Sequence, residues 1–188
     1  MPDTFSGPQT LGTLRSNCWK NVPSQSGIYW WYFPPECVHS FRVTEYCDEQ
    51  SLNLRMAADG KFCLYVGVAK SLKERMKWHA EQPLKQSALR SGFLSTFRKT
   101  LLVLNQIDYA TGFDPINQFM DGLDVAWLTT ENIDEAKASE AVELTGDFHF
   151  PLNIQGNRHA VLKPFIQFLK QQRKAYVAQF LDKRGTPE

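Results

Sequence analysis

An aromatic segment near the start of the chain constrains the fold more than any other feature. Residues 27–33 read Gly-Ile-Tyr-Trp-Trp-Tyr-Phe, and Pro34-Pro35 follow directly. Aromatic and β-branched side chains favour extended backbone, and prolines end such a run because they cannot donate to a sheet. The segment therefore predicts a buried strand against which the rest of the chain has to pack.

Local patterns predict the remaining elements. We expect strands at 62–67 and 123–128, a short strand near 40–44, and helices at 71–81, 93–105, 132–145 and 160–181. Ser71 followed by Glu74 has the form of a capping box, and Pro83 stops the helix that it begins. The elements predict an α/β (α+β) fold with a small central, mainly antiparallel three-stranded sheet flanked by helices, an insertion and a long C-terminal helix.

Length and composition fit one globular domain. The chain has 188 residues, of which 43% are hydrophobic, and this is enough for a real core. We expect residues 1–20 to form an N-terminal arm and residues 21–188 a single domain. Within it, 34–60 would be an insertion and 158–181 a C-terminal helical extension.

The sequence gives no sign of a membrane or secretory segment. Its longest apolar runs, such as 101–104, are far too short to cross a bilayer, and the N-terminus lacks a basic stretch followed by an apolar one. The cysteines are Cys18, Cys37, Cys47 and Cys63, and they are interpreted as reduced thiols. A zinc site formed by Cys37, His39, Cys47 and Cys63 is disfavoured, because these residues lack the paired Cys-x₂-Cys motifs of structural zinc modules. We expect a cytoplasmic protein without a membrane partner.

Charge is distributed unevenly along the chain, although the formal net charge is only +1. Residues 70–99 hold eight basic and two acidic side chains, residues 108–150 one basic and ten acidic, and residues 151–188 seven basic and two acidic. Clustered positive charge suits a polyanion, but solvated helix faces show the same pattern. The charge distribution therefore permits a nucleic-acid partner without identifying one.

Separate segments of the chain carry polar residues that packing alone explains poorly. Tyr29 lies on the first long strand and Tyr65 on the second, so antiparallel pairing would bring both phenols out on one face. Arg75 and His79 are four residues apart on one helix and project from the same side of it. Glu140 lies in the middle of a helix among small residues. Such a set is more typical of a reaction site than of packing alone.

This pattern resembles the GIY-YIG nuclease superfamily. Residues 27–29 are Gly-Ile-Tyr, the first family signature, and residues 65–67 are Tyr-Val-Gly, a common form of the second. The family then places an arginine ten residues after the second tyrosine, often a histidine four further on, a glutamate on a helix, and a Pro-x-Asn-like element. The matching positions here are Arg75, His79, Glu140, Pro151 and Asn153.

The chain departs from the family pattern at two points. A long insertion separates Tyr29 from Tyr65, whereas the two signatures usually lie close together. Glu143 lies nearly one helical turn from Glu140 and competes with it for the metal. The segments 95–101 and 153–157 also resemble those of a group of bacterial GIY-YIG proteins.

The resemblance implies a metal-dependent endonuclease that hydrolyses DNA phosphodiester bonds. It implies one divalent cation, Mg²⁺ (or Mn²⁺), held by Glu140 or alternatively by Glu143. Mg²⁺ keeps most of its waters, so one carboxylate is sufficient. Tyr29 would act as general base and Arg75 as a bidentate phosphate clamp. Tyr65 would orient the water or the phosphate.

The resemblance also implies His79 and Asn153 as members of the catalytic set. Lys70, Arg98 and Lys99 are candidates for substrate contacts because of their position in the basic region. The expected partner is nucleic acid, specifically DNA. The alternative is a catalytically inactive nucleic-acid-binding module or an interaction subunit of a DNA repair or defence assembly. A protein partner and the oligomeric state stay open.

Overall fold

One antiparallel sheet organises the protein, whose computed structural model describes residues 5–182, apart from the side chains of Arg90, Leu181 and Asp182. Its strands are β1 (Phe5–Thr10), β2 (Gly27–Phe33), β3 (Phe62–Ala69) and β4 (Asp124–Thr129), in the spatial order β1-β4-β2-β3. Each neighbouring pair is antiparallel. Every residue of β2 is buried, as the aromatic segment predicts.

Helices cover the sheet on both faces. They are α1 (Leu11–Ser16), α2 (Glu36–Ser40), α3 (Val43–Tyr46), α4 (Leu72–Glu81), α5 (Gln86–Ser91), α6 (Thr96–Leu104), α7 (Phe113–Asp121), α8 (Ile133–Thr145) and α9 (Lys163–Asp182). Single 3₁₀ turns lie at Glu49–Ser51 and Ala160–Leu162. Within residues 5–182, no helix is long and apolar enough to cross a membrane.

The alternation of β2 side chains divides the core into two layers. Tyr29, Trp31 and Phe33 face the larger layer, which contains α4, α6 and α9. Ile28, Trp30 and Tyr32 of the same strand pack on the opposite face with Leu144 of α8. Because successive strand residues point to opposite faces, the β2 sequence decides which side chains reach which layer.

The structure confirms the predicted fold class and corrects some of its details. The sheet has a fourth strand, because β1 pairs with β4 through its backbone although its side chains show no apolar alternation. The expected strand near 40–44 is wrong. That region forms α2 and α3, joined at Arg42, whose φ of 67° turns the chain between them. Buried Phe41 and Val43 dock this turn on the core.

Helix starts follow their capping residues. Ser71 accepts a hydrogen bond from the Glu74 N–H, and Asn132 accepts from two first-turn amides of α8. Ser95 accepts from the Arg98 N–H, so α6 begins three residues later than the expected start at Phe93. These side chains fix the orientation of α4, α6 and α8 on the sheet.

The insertion leaves the pairing of β2 with β3 intact. Partners run from Gly27 opposite Ala69 to Phe33 opposite Phe62, with an irregularity between Trp31 and Tyr32. Tyr29 lies opposite Gly67. A Cβ built on Gly67 would lie 2.6 Å from the Tyr29 hydroxyl oxygen and 2.7 Å from its Cζ. The glycine of the second signature is therefore required because the Tyr29 ring crosses over it.

We predict that Gly67→Ala displaces the Tyr29 ring and lowers the free energy of unfolding by about 1–3 kcal/mol, because the new methyl overpacks a buried site. Gly7→Ala is the matched control, since no atom lies within 4 Å of a Cβ at that strand position. It should stay within about 0.5 kcal/mol of wild type in urea unfolding. Equal stabilities of the two variants would contradict the steric argument.

Candidate active site

A groove of about 900 Å³ lies beside β3, between α4, α6, α8, α9 and the loop that follows α8. The expected site residues that line it are Tyr65, Arg75, His79, Lys99, Glu140 and Asn153. Its lining also includes cations that the sequence did not single out, Lys170, Arg173 and Lys174 of α9. The groove therefore brings together most of the predicted site from five separate parts of the chain.

The two signature tyrosines lie on the same face of the sheet. Trp31 pairs with Tyr65, and Tyr29 with Gly67, so the phenols are diagonal neighbours with ring centroids 6.4 Å apart. Burial raises the pKa of Tyr29 well above its usual value and that of Tyr65 to about 12, while Arg75 opposes both shifts. Both phenols are therefore protonated at neutral pH in this state.

A buried hydrogen-bonded chain lies behind Tyr29. The Tyr29 hydroxyl is 2.8 Å from His79 Nε2, and His79 Nδ1 is 2.6 Å from Ser95 Oγ. The Ser95 N–H donates to Gln82 Oε1 at 2.6 Å. Burial lowers the pKa of His79 to about 3, with further lowering by Arg75 and Arg98, so the imidazole is neutral. A neutral ring donates one of its two hydrogen bonds and accepts the other.

Sequence reasoning identified His79 but not Ser95 or Gln82. The capping position of Ser95, three residues before Arg98, was a local signal that it begins a helix. Its contact with His79 joins two helices across sixteen residues and has no local signature. Ser95 is fully buried, and it fixes the far side of the imidazole ring.

Arg75 offers its guanidinium to the groove. Its Cζ lies 4.9 Å from the centroid of the Trp78 ring, which supports the guanidinium from the next turn of α4. Among residues 5–182, no carboxylate forms an ion pair with Arg75 within 4.0 Å. The charge of Arg75 is therefore free for an anionic ligand.

The two candidate glutamates occupy different surroundings. Glu140 lines the groove, and burial raises the pKa of its carboxyl, while Arg75 opposes the shift. Glu143 instead accepts hydrogen bonds from Arg55 at 2.7 and 2.9 Å. The Arg55 guanidinium also lies 4.7 Å from the centroid of the Phe148 ring. An ion pair with the insertion thus engages Glu143, and only Glu140 faces the groove.

Asn153 uses both ends of its side-chain amide on the backbone of one residue. Its Oδ1 accepts from the Val66 N–H at 2.9 Å, and its Nδ2 donates to the Val66 carbonyl at 2.7 Å. Val66 directly follows Tyr65 on β3. Asn153 therefore fixes the strand that presents Tyr65, with both polar ends engaged.

The three residues expected to contact the substrate lie in different places relative to the groove. Lys99 lines the groove, and exposed Lys70 borders a neighbouring cleft that Arg75 also lines. Arg98 is buried, and its guanidinium donates to the carbonyls of His79 and Ala80 and to Asn117 Oδ1. The structure thus places Arg98 under the site, where it holds the end of α4 and does not face the groove.

The donor set of the groove fits a hard cation held mainly by water. Within the described part of the chain, no three His, Cys, Asp or Glu side chains are close enough together to enclose an ion. In residues 5–182, Glu140 is the single carboxylate in the groove lining, and it forms no ion pair within 4.0 Å. Mg²⁺ is commonly bound through one or two carboxylates and retains several waters. A lone groove-facing carboxylate such as that of Glu140 is therefore compatible with a water-rich Mg²⁺ site.

We predict that His79 makes the protein sensitive to acid. Its folded pKa is about 3 against the ordinary 6.5, so between these pH values the unfolded chain binds a proton that the folded protein excludes. As the pH is lowered through that range, the free energy of unfolding should fall by about 1.4 kcal/mol for each pH unit. Urea unfolding gives the unfolding free energies of wild type and His79→Gln at several pH values. The difference between the two slopes of unfolding free energy against pH measures the His79 contribution. Parallel pH profiles would contradict the buried neutral imidazole.

Comparison with known families agrees with this geometry. A family model described as the GIY-YIG catalytic domain matches residues 27–175, which is most of the chain. Searches of curated proteins and of solved structures gave no match. The matched region begins at the first signature and contains every groove-lining residue except Val177. The chain therefore belongs to the GIY-YIG family of nuclease domains.

Proposed function

We propose that this protein is a metal-dependent endonuclease that hydrolyses DNA phosphodiester bonds in the groove beside β3. The observation that carries the proposal is the convergence of Tyr65, Arg75 and Glu140 on one groove. Directly behind them, Tyr29 is hydrogen-bonded to His79. Phosphodiester hydrolysis needs charge stabilisation, a positioned water and an acceptor for its proton, and these side chains can supply each of them.

Glu140 is the proposed ligand of Mg²⁺ or Mn²⁺. Its carboxylate is half-buried and faces the groove, whereas Glu143 is held by Arg55. A bound divalent ion would supply positive charge at the phosphate oxygens and lower the pKa of coordinated water. Glu140 would hold this ion next to Arg75, which is close enough to influence the titration of the carboxyl.

Arg75 is the proposed phosphate clamp. A guanidinium can donate two parallel hydrogen bonds to phosphate oxygens, and stacking on Trp78 limits its orientations. A lysine at this position would keep the charge but lose the paired geometry. Arg75 would therefore stabilise the added negative charge of the transition state.

Tyr29 and His79 are the proposed route for the proton of the attacking water. The water would give its proton to the Tyr29 oxygen as the Tyr29 hydroxyl proton passes to His79 Nε2. This transfer requires a free lone pair on Nε2, which is present when Nδ1–H donates to Ser95 Oγ. Burial raises the pKa of Tyr29 and lowers that of His79 to about 3, so neither group alone takes up a proton in this state. The negative charge of a bound phosphate would raise the basicity of the imidazole, and the transfer would therefore occur only with substrate in the groove. Tyr65, which lines the groove, would orient the water or the phosphate.

We predict Mg²⁺- or Mn²⁺-dependent cleavage that EDTA abolishes. Tyr29→Phe, Arg75→Ala and Glu140→Gln should each lower the rate by roughly 10²- to 10³-fold, because each removes a contact needed in the transition state. Labelled single-stranded, duplex, branched and flapped DNA, with matched RNA, would show which nucleic acid is cut.

Glu143→Gln is the matched control on the same helix, because it removes a carboxylate that does not face the groove. It should keep the wild-type rate, even if loss of the Arg55 ion pair lowers its melting temperature. Loss of activity in this variant but not in Glu140→Gln would reverse the assignment. Salt-sensitive binding without cleavage under either metal would favour the inactive binding module.

A further inference from the structure

The groove carries much more positive charge than phosphate clamping by Arg75 accounts for. Among the residues that the structure describes, its lining contains five side chains of lysine or arginine and one carboxylate, that of Glu140. Four of the cations form one group, which we call the α9 cationic wall. It consists of Lys170, Arg173 and Lys174 of α9, together with Lys99 of α6, which lines the groove with them. Within residues 5–182, no member of this wall forms an ion pair with a carboxylate.

Arg173 is the least expected member of the wall. It is only partly exposed, and its buried Nε atom has no hydrogen-bond partner. Burial lowers the pKa of the Arg173 guanidinium, and Arg173 in turn acts on the titration of Tyr65 and Lys99. Arg173 therefore lies close to both the catalytic tyrosine of β3 and another cation.

A packing role explains this arrangement poorly. Long cationic side chains do cover apolar surface with their stems, but they usually keep the charged end in water. Partial burial of an unpaired guanidinium costs free energy, and the like charge of Lys99 increases that cost. An anion in the groove would offset these costs, because it attracts the guanidinium and the neighbouring ammonium groups.

The spacing of the wall suits a sugar–phosphate backbone. Lys170 and Lys174 are one helical turn apart, which is about 6 Å along the helix axis. One strand of a stacked nucleic acid rises about 3.4 Å per nucleotide. The wall can therefore contact about two or three consecutive phosphates.

We propose that Arg173 is a second phosphate-binding guanidinium, and that the α9 cationic wall holds the sugar–phosphate backbone of the strand being cut, next to the scissile phosphate. This inference rests on the proposed nuclease function for its substrate. Arg75 approaches the phosphate from α4 and Arg173 from α9, on different walls of the same groove. The C-terminal helix is thus part of the substrate-binding surface.

The test is equilibrium binding in EDTA, with Glu140→Gln as the background, so that no cleavage occurs. Fluorescence anisotropy would follow a labelled single strand and a labelled duplex between roughly 50 and 200 mM salt. Adding Arg173→Met keeps most of the packing volume but removes the charge. It should weaken binding roughly tenfold and reduce the slope of log affinity against log salt by about 0.7–0.9, the value for one phosphate contact.

Two further variants make the result decisive. Lys163→Gln removes an exposed charge from α9 outside the groove and should leave the slope unchanged. Arg173→Lys should keep most of the slope, because it retains the charge. If Arg173→Met binds with the same affinity and slope as Lys163→Gln, the proposal is overturned.

A fold defect and a failed function would be recognised separately. If Arg173→Met does not fold by circular dichroism, Lys170→Gln/Lys174→Gln replaces it, since both lysines are exposed. That double variant should lower the slope by about 1.5, and an unchanged slope would overturn the proposal. If the wild type cleaves nucleic acid and the wall variants bind it with unchanged affinity and salt dependence, only this inference is contradicted. If the wall variants bind more weakly but the wild type cleaves no substrate, only the proposed nuclease function is contradicted.

Discussion

The antiparallel register of β2 and β3 is the constraint on which the rest of the site depends. Tyr29 pairs with Gly67, and its ring occupies the space that any larger residue at that position would fill. A slip of one residue would turn the phenol to the opposite face of the sheet. The chain then leaves β3 directly into α4, whose His79 closes over the same ring. One pairing register thus sets the relative positions of the tyrosines and the helix above them.

Elements with a strong local signal could be predicted from the sequence. The aromatic run gave β2, and capping residues marked α4 and α8 to within about a residue. β1 could not be predicted, because its pairing uses backbone groups and its side chains lack a pattern. The strand expected near 40–44 is instead two short helices, because the left-handed backbone at Arg42 and the burial of Phe41 and Val43 depend on tertiary packing. The burial of Arg98 could not be predicted either, because its partners, the carbonyls of His79 and Ala80 and the Asn117 side chain, lie far from it in the sequence.

The sequence predicted the residue types of the candidate site, but it did not predict the residues that surround them. Tyr65, Arg75 and Glu140 follow from family spacing, and all three line the groove. The competition between Glu140 and Glu143 could not be settled from spacing, since adjacent turns of one helix present both. Arg55 of the insertion separates them by engaging Glu143. The distant sequence thus decides which carboxylate stays free, and it likewise contributes the cations of α9.

The hydrogen bonds of Asn153 also affect how the folded molecule meets its neighbours. β3 is the last strand of the sheet, and a bare strand edge offers unpaired N–H and C=O groups to any other extended chain. Asn153 occupies both groups of Val66, and the Leu152 N–H takes the carbonyl of Leu64. The segment therefore acts as a short substitute for a fifth strand. A strand edge whose backbone groups are engaged in this way offers fewer sites for edge-to-edge pairing with another chain, and this covered stretch lies beside the groove.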